Sequence, residues 1–178
     1  MVSFGNKVVR KCSQVVRIGL TMYFGEAQTV LDDKGRITVS RRYRETMSVL
    51  GHAIWYMTRG FDGSIFLFPR EEWQKIRTQA GRYSSMDAQA IDFRRMFFGS
   101  VAEVQPDRQG RMSVPQHLRE HAGLDKEAVL IGVDDHLELW SRDAWRGYQE
   151  ANEEKFKEMA SGLFSADAGH SSEDSGES

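Results

Sequence analysis

The sequence predicts an α+β fold, mainly β, built from two copies of one strand–turn–strand–helix unit with peripheral helices. The first observation is an internal repeat: residues 31–45 and 106–120 match without gaps, and each has Asp-x-x-Gly-Arg near its start. The second is the alternation of apolar and polar side chains after each Asp-x-x-Gly-Arg, which is typical of a half-buried strand. The third is a segment with helical spacing of apolar residues after each strand.

Each Asp-x-x-Gly-Arg segment predicts a tight hairpin turn. The Asp side chain can accept hydrogen bonds from the backbone that follows it, and Gly can adopt the positive φ that such turns require. After the first turn, Ile37 and Val39 lie on one face of the strand, while Arg36 and Thr38 lie on the other. We therefore expect Arg36, and Arg111 at the matching position, to stand on the solvent side beside the turn.

The other elements of the first copy follow from helix and turn signals. Strands are predicted over 28–31 and 36–39, and a helix over about 41–50 that ends at Gly51. Ser40 is suited to cap this helix with its hydroxyl.

Two more strands and a helix complete the first copy, and the second copy repeats the order. The strands are predicted over 54–58 and 65–68, with Pro69 opening the helix. The second copy is predicted to have strands over 101–104, 112–114, 129–133 and 137–140, a short helix over 115–121 and a helix capped by Ser141.

The two copies differ in length at two places. Phe24-Gly25 recurs as Phe98-Gly99 one residue out of step with the turns, so one copy has a one-residue insertion before its turn. Later in the repeat, the second copy lacks about three residues in its middle.

These patterns divide the chain into six segments. They are an N-terminal extension over 1–21, a first module over 22–77, a connecting helix over 78–97, a second module over 98–147, a C-terminal helix over 148–164 and a disordered acidic tail over 165–178. The extension is either a basic arm or the result of a start codon assigned too far upstream, and we favour Met22 as the natural start.

Composition narrows the possible functions. The single cysteine, Cys12, excludes a disulfide within the chain and suits a reducing compartment. No apolar run approaches the ~20 residues of a membrane span, so no membrane partner is expected. The net charge is −2, but five basic residues fall within 34–44. Such a cluster either binds phosphates or is an ordinary solvated face.

The doubled Asp-x-x-Gly-Arg motif resembles the MraZ family of bacterial transcriptional regulators. The resemblance covers about 22–164 and rests on Lys34-Gly35-Arg36, on Gln109-Gly110-Arg111 and on the Phe-Gly pair ahead of the first unit. Each unit resembles an AbrB/SpoVT DNA-binding module. Ser40 departs from the pattern, because the family usually has Pro there, as at Pro115.

The resemblance implies a fold, a function and a mode of assembly. It implies two swapped-hairpin units that form a pseudo-dimer within one chain, and ring-shaped homo-oligomers. It implies a cytoplasmic, nucleoid-associated repressor of its own division and cell-wall operon, which binds direct repeats in promoter double-stranded DNA. It implies no enzymatic activity and no cofactor.

The charged residues of the motif are the predicted site. Arg36 can bind a guanine edge with two hydrogen bonds, while Lys34 suits a phosphate. The predicted DNA contacts are Lys34, Arg36, Arg41, Arg42, Arg44 and Arg111. The residues predicted to shape the turns are Asp32, Gly35, Asp107 and Gly110. For Arg111 a packing or interface role stays open, because Gln109 replaces the lysine of the first copy.

Other chemistry is disfavoured by the repeat itself. His117 and His121 fit an H-x-x-E-H zinc signature, but the first copy has Arg42 and Thr46 at these positions, so we predict no metal site. The sequence also shows no Gly-rich phosphate loop, Ser/His/Asp set or Cys/His pair, so we predict no catalytic set. The alternative to a DNA-binding regulator is a ring-forming interaction protein in which the two turns are only structural.

Overall fold

The computed structural model describes residues 22–81 and 88–166; the described residues up to Arg142 belong to one compact unit, and those from Asp143 onwards belong to a second. In the first unit the strands are β1 (Tyr23–Val30), β2 (Arg36–Thr38), β3 (Trp55–Arg59), β4 (Ile65–Pro69), β5 (Ala102–Val104), β6 (Arg111–Ser113), β7 (Glu127–Asp134) and β8 (His136–Ser141). Its helices are α1 (Arg41–Leu50), α2 (Arg70–Ala80), α3 (Ala88–Phe98) and α4 (Gln116–His121). A long helix, α5 (Arg142–Ala166), begins at the last residue of the first unit, and its remaining residues are the described part of the second unit.

The strands form one large antiparallel sheet and one small ribbon. The six-stranded sheet has the order β1-β7-β8-β4-β3-β5, and β2 pairs with β6 in the ribbon. The strands β1, β3 and β4 of the first copy correspond to β5, β7 and β8 of the second. Exchanging the two copies therefore gives the same order of strands, read from the other edge of the sheet. The predicted α+β fold of two duplicated units, swapped into a pseudo-dimer within the chain, is confirmed.

The turn motif does not join a local hairpin, contrary to the expectation from the motif alone. β1 pairs with β7, and β2 pairs with β6, so the two strands beside the first turn bond to strands of the other copy. The turn itself is tight, since Asp32 N–H donates to Arg36 O and Gly35 N–H donates to Asp32 O, both at 2.8 Å. Each ribbon strand has one apolar face, and pairing across copies places the apolar faces of both strands on the buried side of the same ribbon.

The main core lies between one face of the sheet and the layer made by the ribbon, α1 and α4. At the centre of the ribbon, Ile37 stands opposite Met112, and neither side chain is exposed to solvent. Tyr43 and Met47, which lie four residues apart on α1, belong to the same cluster. Burial of each such side chain contributes about 1.5–3 kcal/mol to folding, so the ribbon is firmly attached to the sheet.

The opposite face of β3 and β4 carries a second, aromatic cluster. Trp73 of α2 stacks on Tyr56 with ring centroids 5.4 Å apart, and it also packs on Phe97 of α3. Alternation along the strands separates the two clusters, because residues of odd and even number face opposite sides of the sheet.

The strand register locates the length differences between the copies. Val30 stands opposite Glu127, and Val104 stands opposite Trp55, so Val30 and Val104 are equivalent. The extra residue of the second copy therefore lies between Val104 and its turn. The missing residues fall in the helix that follows, since α1 has 10 residues and α4 has 6.

Several predicted boundaries are wrong. Residues 78–80 belong to α2, because that helix continues to Ala80. The helix predicted after Ser141 and the one predicted over 148–164 are a single helix of 25 residues, since Gly147 does not interrupt it. β1 begins at Tyr23, because pairing with β7 extends it beyond the predicted 28–31.

Parts of three predicted segments lie outside the described residues: the whole extension over 1–21, residues 82–87 of the connecting helix and residues 167–178 of the tail. Residues 165 and 166, which were predicted to belong to the tail, are the last two residues of α5.

The predicted hydroxyl cap at Ser40 is also wrong. Ser40 occupies the cap position of α1 with φ −60° and ψ 152°, but its side chain forms no cap hydrogen bond. Its Oγ is buried and has no hydrogen-bond partner among the described residues. In the second copy the same position is Pro115, with φ −56° and ψ 145°. The backbone at Ser40 therefore already has the conformation that proline requires.

We predict that Ser40→Pro stabilises the protein. Proline fits the observed φ, removes an unpaired buried hydroxyl and reduces the conformational freedom of the unfolded chain, which together are worth about 0.4–1 kcal/mol. Urea unfolding of the variant and the parent measures the difference. Pro115→Ser is the matched reverse change and should lower the free energy of unfolding by a similar amount. A less stable Ser40→Pro variant would contradict this account.

Candidate nucleic-acid interface

The two motif arginines lie on the same outer face of the ribbon. Arg36 stands opposite Ser113, and Arg111 stands opposite Thr38, while the residues between them face the core. Diagonal neighbours in an antiparallel pair have Cα atoms roughly 7–8 Å apart. The structure thus brings Arg36 and Arg111, which are far apart in sequence, together beside turns at opposite ends of one short ribbon.

Within each turn the Asp carboxylate organises both the backbone and the arginine. Asp32 Oδ1 accepts hydrogen bonds from the backbone N–H groups of Lys34 and Arg36, each at 2.9 Å. Asp32 Oδ2 accepts a bond from Arg36 Nε at 2.8 Å and lies 2.7 Å from Nη2.

The second turn repeats this arrangement with the same distances. Asp107 Oδ1 accepts the N–H groups of Gln109 and Arg111 at 2.9 Å, and Oδ2 accepts Arg111 Nε at 2.8 Å. Arg111 therefore has the same local environment as Arg36.

The ion pairs change the protonation behaviour of both carboxylates. Hydrogen bonds from the Arg36 side chain and backbone lower the pKa of Asp32 to about 2. Those from Arg111 lower the pKa of Asp107 to about 2 as well. The pKa of Arg36 is raised, chiefly by its hydrogen bond with Asp32 and to a smaller extent by the charge of Asp107. The carboxylate of the second turn therefore acts weakly on the arginine of the first turn.

The guanidinium groups keep donors for an outside acceptor. A guanidinium has five N–H donors, and the pairing with Asp32 engages Nε and Nη2 of Arg36. The Nη1 group can donate elsewhere, and the carboxylate fixes the orientation in which it does so. A pre-oriented arginine loses little side-chain entropy when it binds a planar partner.

Two exposed cations lie at the tips of the turns. Lys34 projects from the first turn, and Arg108 projects from the second, and neither has an ion-pair partner within the described residues. The sequence prediction missed Arg108 because it compared Lys34 with Gln109, its exact counterpart. Arg108 lies one position before Gln109, so allowing a shift of one residue between the two copies would have identified it.

The three arginines of α1 do not form one patch. Arg41 pairs with Glu45 at 2.8 Å and has a side chain that is 85% exposed. Arg42 donates to Glu26 O at 3.2 Å, and its guanidinium carbon lies 4.8 Å from the centroid of the Tyr43 ring. Arg44 lies against the glycine of the second turn, Gly110.

Other kinds of site find little support in the described residues. Within 22–81 and 88–166, no group of three or more His, Cys, Asp or Glu side chains could hold a metal ion. In the H-x-x-E-H segment, His117 Nε2 lies 2.9 Å from Ser100 O. None of the helices in the same ranges combines the length and the apolar character needed to cross a membrane.

We predict that protonation of Asp32 and Asp107 destabilises the fold only in strongly acidic solution. An unfolded Asp has a pKa of about 3.9, whereas both carboxyls have a pKa of about 2 in the folded chain. Their contribution is therefore complete above about pH 4 and is lost as the pH falls towards 2.

Unfolding curves measured across this acidic interval test the prediction. The double variant Asp32→Asn, Asp107→Asn lacks both titrations, so its stability should fall less steeply with decreasing pH than that of the parent. If the stability of the parent and that of the double variant fall equally steeply with pH, these carboxylates do not stabilise the fold.

Comparison with known proteins gives the family. The family model described as "MraZ protein, putative antitoxin-like" matches twice, at residues 22–96 and 97–166. A protein of Heliobacterium modesticaldum named "Transcriptional regulator MraZ" is 40% identical over 146 residues, which are 82% of this chain and 99% of the relative.

Two further relatives have the same name. Identity is 39% over 142 residues with the protein of Syntrophomonas wolfei, covering 80% of this chain and 96% of the relative. It is 39% over 141 residues with that of Carboxydothermus hydrogenoformans, covering 78% and 94%. The double match, one to each sequence copy, agrees with the duplicated fold and the paired turns. The chain therefore belongs to the MraZ family.

Proposed function

We propose that this protein is a sequence-specific DNA-binding transcriptional regulator. The observation that carries the proposal is the pair of Asp–Arg turns on one exposed face of a rigid ribbon, with Arg36 and Arg111 in the same orientation relative to their carboxylates. The names of the relatives, all transcriptional regulators, support it. No catalytic role is proposed.

In this proposal the ribbon enters the major groove. That groove is about 12 Å wide and admits a two-stranded β-ribbon, and a bidentate arginine on a guanine edge contributes about 1–3 kcal/mol of discrimination. Arg36 and Arg111 would each read a base edge. Asp32 and Asp107 would hold the two guanidinium groups in place before DNA arrives, and Gly35 and Gly110, with φ of +71° and +76°, would shape the turns.

Phosphate contacts would surround the base contacts. Lys34, Arg108 and Arg41 are exposed cations near the ribbon or on the helix that follows it, and contacts of this kind fix the register of a protein on DNA. The phosphate contacts expected of Arg42 and Arg44 stay predictions, because both guanidinium groups already contact the protein.

Assembly would supply the affinity that one ribbon lacks. We propose a ring-shaped homo-oligomer in which several subunits bind direct repeats in the promoter of the protein's own division and cell-wall operon, so that linked weak contacts add up. The outer edge of β1 supports self-association, since β1 pairs with β7 alone in the sheet and exposes 56% of Phe24 and 54% of Val30. Repression would take place in the cytoplasm, at the nucleoid.

A mobility-shift titration tests the function. The purified protein is titrated against DNA from upstream of its own gene and against scrambled DNA, at two salt concentrations. We expect preferential binding that weakens with salt, because each phosphate contact contributes about −0.9 to the slope of log affinity against log salt. Equal binding to both DNAs would favour the alternative, a ring-forming interaction protein with purely structural turns.

We predict that Arg36→Ala weakens binding to the preferred DNA by about 10- to 100-fold, corresponding to one lost bidentate base contact, and that Arg111→Ala does the same. Size-exclusion chromatography should show an unchanged oligomer, because neither side chain is part of the core. Arg95→Ala is the matched control: it removes an arginine paired with Asp92 on α3, 73% exposed, and should leave binding unchanged. Full affinity in Arg36→Ala would refute the assignment.

A further inference from the structure

Two arginines of the repeat lie across the turns of the opposite module. Arg119 of α4 belongs to the second copy, but it packs on Gly35 in the first turn: a Cβ added to Gly35 would lie 2.9 Å from Arg119 Cζ and 3.1 Å from Nε. Arg44 of α1 mirrors this, since a Cβ on Gly110 would clash with its Cδ and lie 2.9 Å from its Nε. Each turn is thus in close contact with a guanidinium from the other copy.

The ribbon register produces this exchange. Val39 N–H donates to Gly110 O, and Val114 N–H donates to Gly35 O, both at 2.8 Å. The strand that leaves one turn therefore ends beside the turn of the other module, and its helix begins there. Arg44 and Arg119 occupy the same position in these helices, so both reach the neighbouring glycine.

The two glycines leave the space that the arginines fill. Gly35 and Gly110 are buried, with φ of +71° and +76°. Any side chain at either position would be strained by the backbone conformation and would displace the arginine. Both properties of the turn, its conformation and its close approach to a guanidinium, require glycine.

Neither arginine is held there by a carboxylate. Within the described residues no ion pair involves Arg44 or Arg119, and the Nε of Arg119 is buried without an acceptor. Asp32 is already bound to Arg36 and to the backbone. The contact is therefore close packing of the arginine side chain against the glycine of the turn, and not a second salt bridge.

We propose that Arg44 and Arg119 are positioning residues, each of which fixes the turn of the opposite module in its DNA-reading conformation. We call them the clamp arginines. Arg119 holds the turn that presents Arg36, and Arg44 holds the turn that presents Arg111. This inference rests on the proposed DNA-binding function for its consequence, and it gives Arg44 a role different from the phosphate contact predicted from the sequence.

Amide hydrogen exchange measured by NMR tests the clamp without DNA. In Arg119→Ala, the amides of Gly35 and Arg36 should exchange at least about tenfold faster, while those of Gly110 and Arg111 change little. Arg44→Ala should give the opposite pattern. Arg95→Ala should change neither turn. Equal acceleration in both turns, or none, would overturn the proposal, because a general loss of stability makes no distinction between them.

A conservative variant covers the case in which the alanine variants do not fold. Arg119→Lys keeps the charge and much of the stem but lacks the planar group. It should show the same pattern as Arg119→Ala with a smaller amplitude. Exchange identical to that of the parent would show that the planar guanidinium is not what holds the turn.

A double-mutant cycle with DNA tests the consequence. Arg119→Ala and Arg36→Ala both act on the first turn, so their combined loss of binding free energy should be smaller than the sum of the two single losses. Arg119→Ala and Arg111→Ala act on different turns, so their losses of binding free energy should add. The salt slope should stay unchanged in Arg44→Ala. A slope reduced by about 0.9 would assign Arg44 to a phosphate instead. If the parent shows no DNA preference, the proposed function fails, and the exchange pattern alone decides the clamp.

Discussion

The structure depends on the pairing of β2 with β6. These two short strands come from different copies of the repeat, and their central side chains, Ile37 and Met112, are completely buried. The flanking bonds from Val39 to Gly110 and from Val114 to Gly35 extend the ladder into both turns. The ribbon is therefore the direct link between the two turns.

Each turn is held rigidly by its carboxylate and still presents an arginine at the surface. In each, one carboxylate satisfies two backbone N–H groups and orients an arginine, while the glycine allows the chain to reverse close to a foreign side chain. Desolvation of the pair is small, since both side chains stay partly exposed, so the interaction serves orientation more than stability. An arginine oriented in this way is what the proposed contact with a base edge would require.

Much of this could be predicted from the sequence because duplication and alternation are local signals. The repeat gave the number of units, the period of two gave the exposed face of Arg36, and Gly51 marked the end of α1. What local signals cannot give is the choice of pairing partner: a strand after Asp-x-x-Gly-Arg has the same alternation whether it pairs with its neighbour or with the other copy. The motif alone therefore indicated a hairpin, and the swap came only from the family resemblance.

The site was predicted less completely than the fold, for a related reason. Arg36 and Arg111 were identified because they belong to the motif, but their placement on one face follows from the register of the ribbon. The contact between Arg119 and Gly35 joins residues that only the swapped pairing brings together, so no spacing in the sequence could indicate it. The boundaries of α2 and α5 were missed because packing and helix propagation extend helices past weak residues such as Gly147.

The palindromic order of the sheet has a consequence for how the sequence can change. Among the strands that the structure describes, β3 pairs with β4 and β7 with β8 inside one copy, and the other four ladders join the two copies. A substitution in either copy is therefore tested against the other copy's side chains. At these ladders the two halves of the polypeptide depend on each other's side chains as two proteins of an obligate complex do at their interface. The inserted residue before the second turn and the shortened α4 show how much asymmetry such a pair can accumulate.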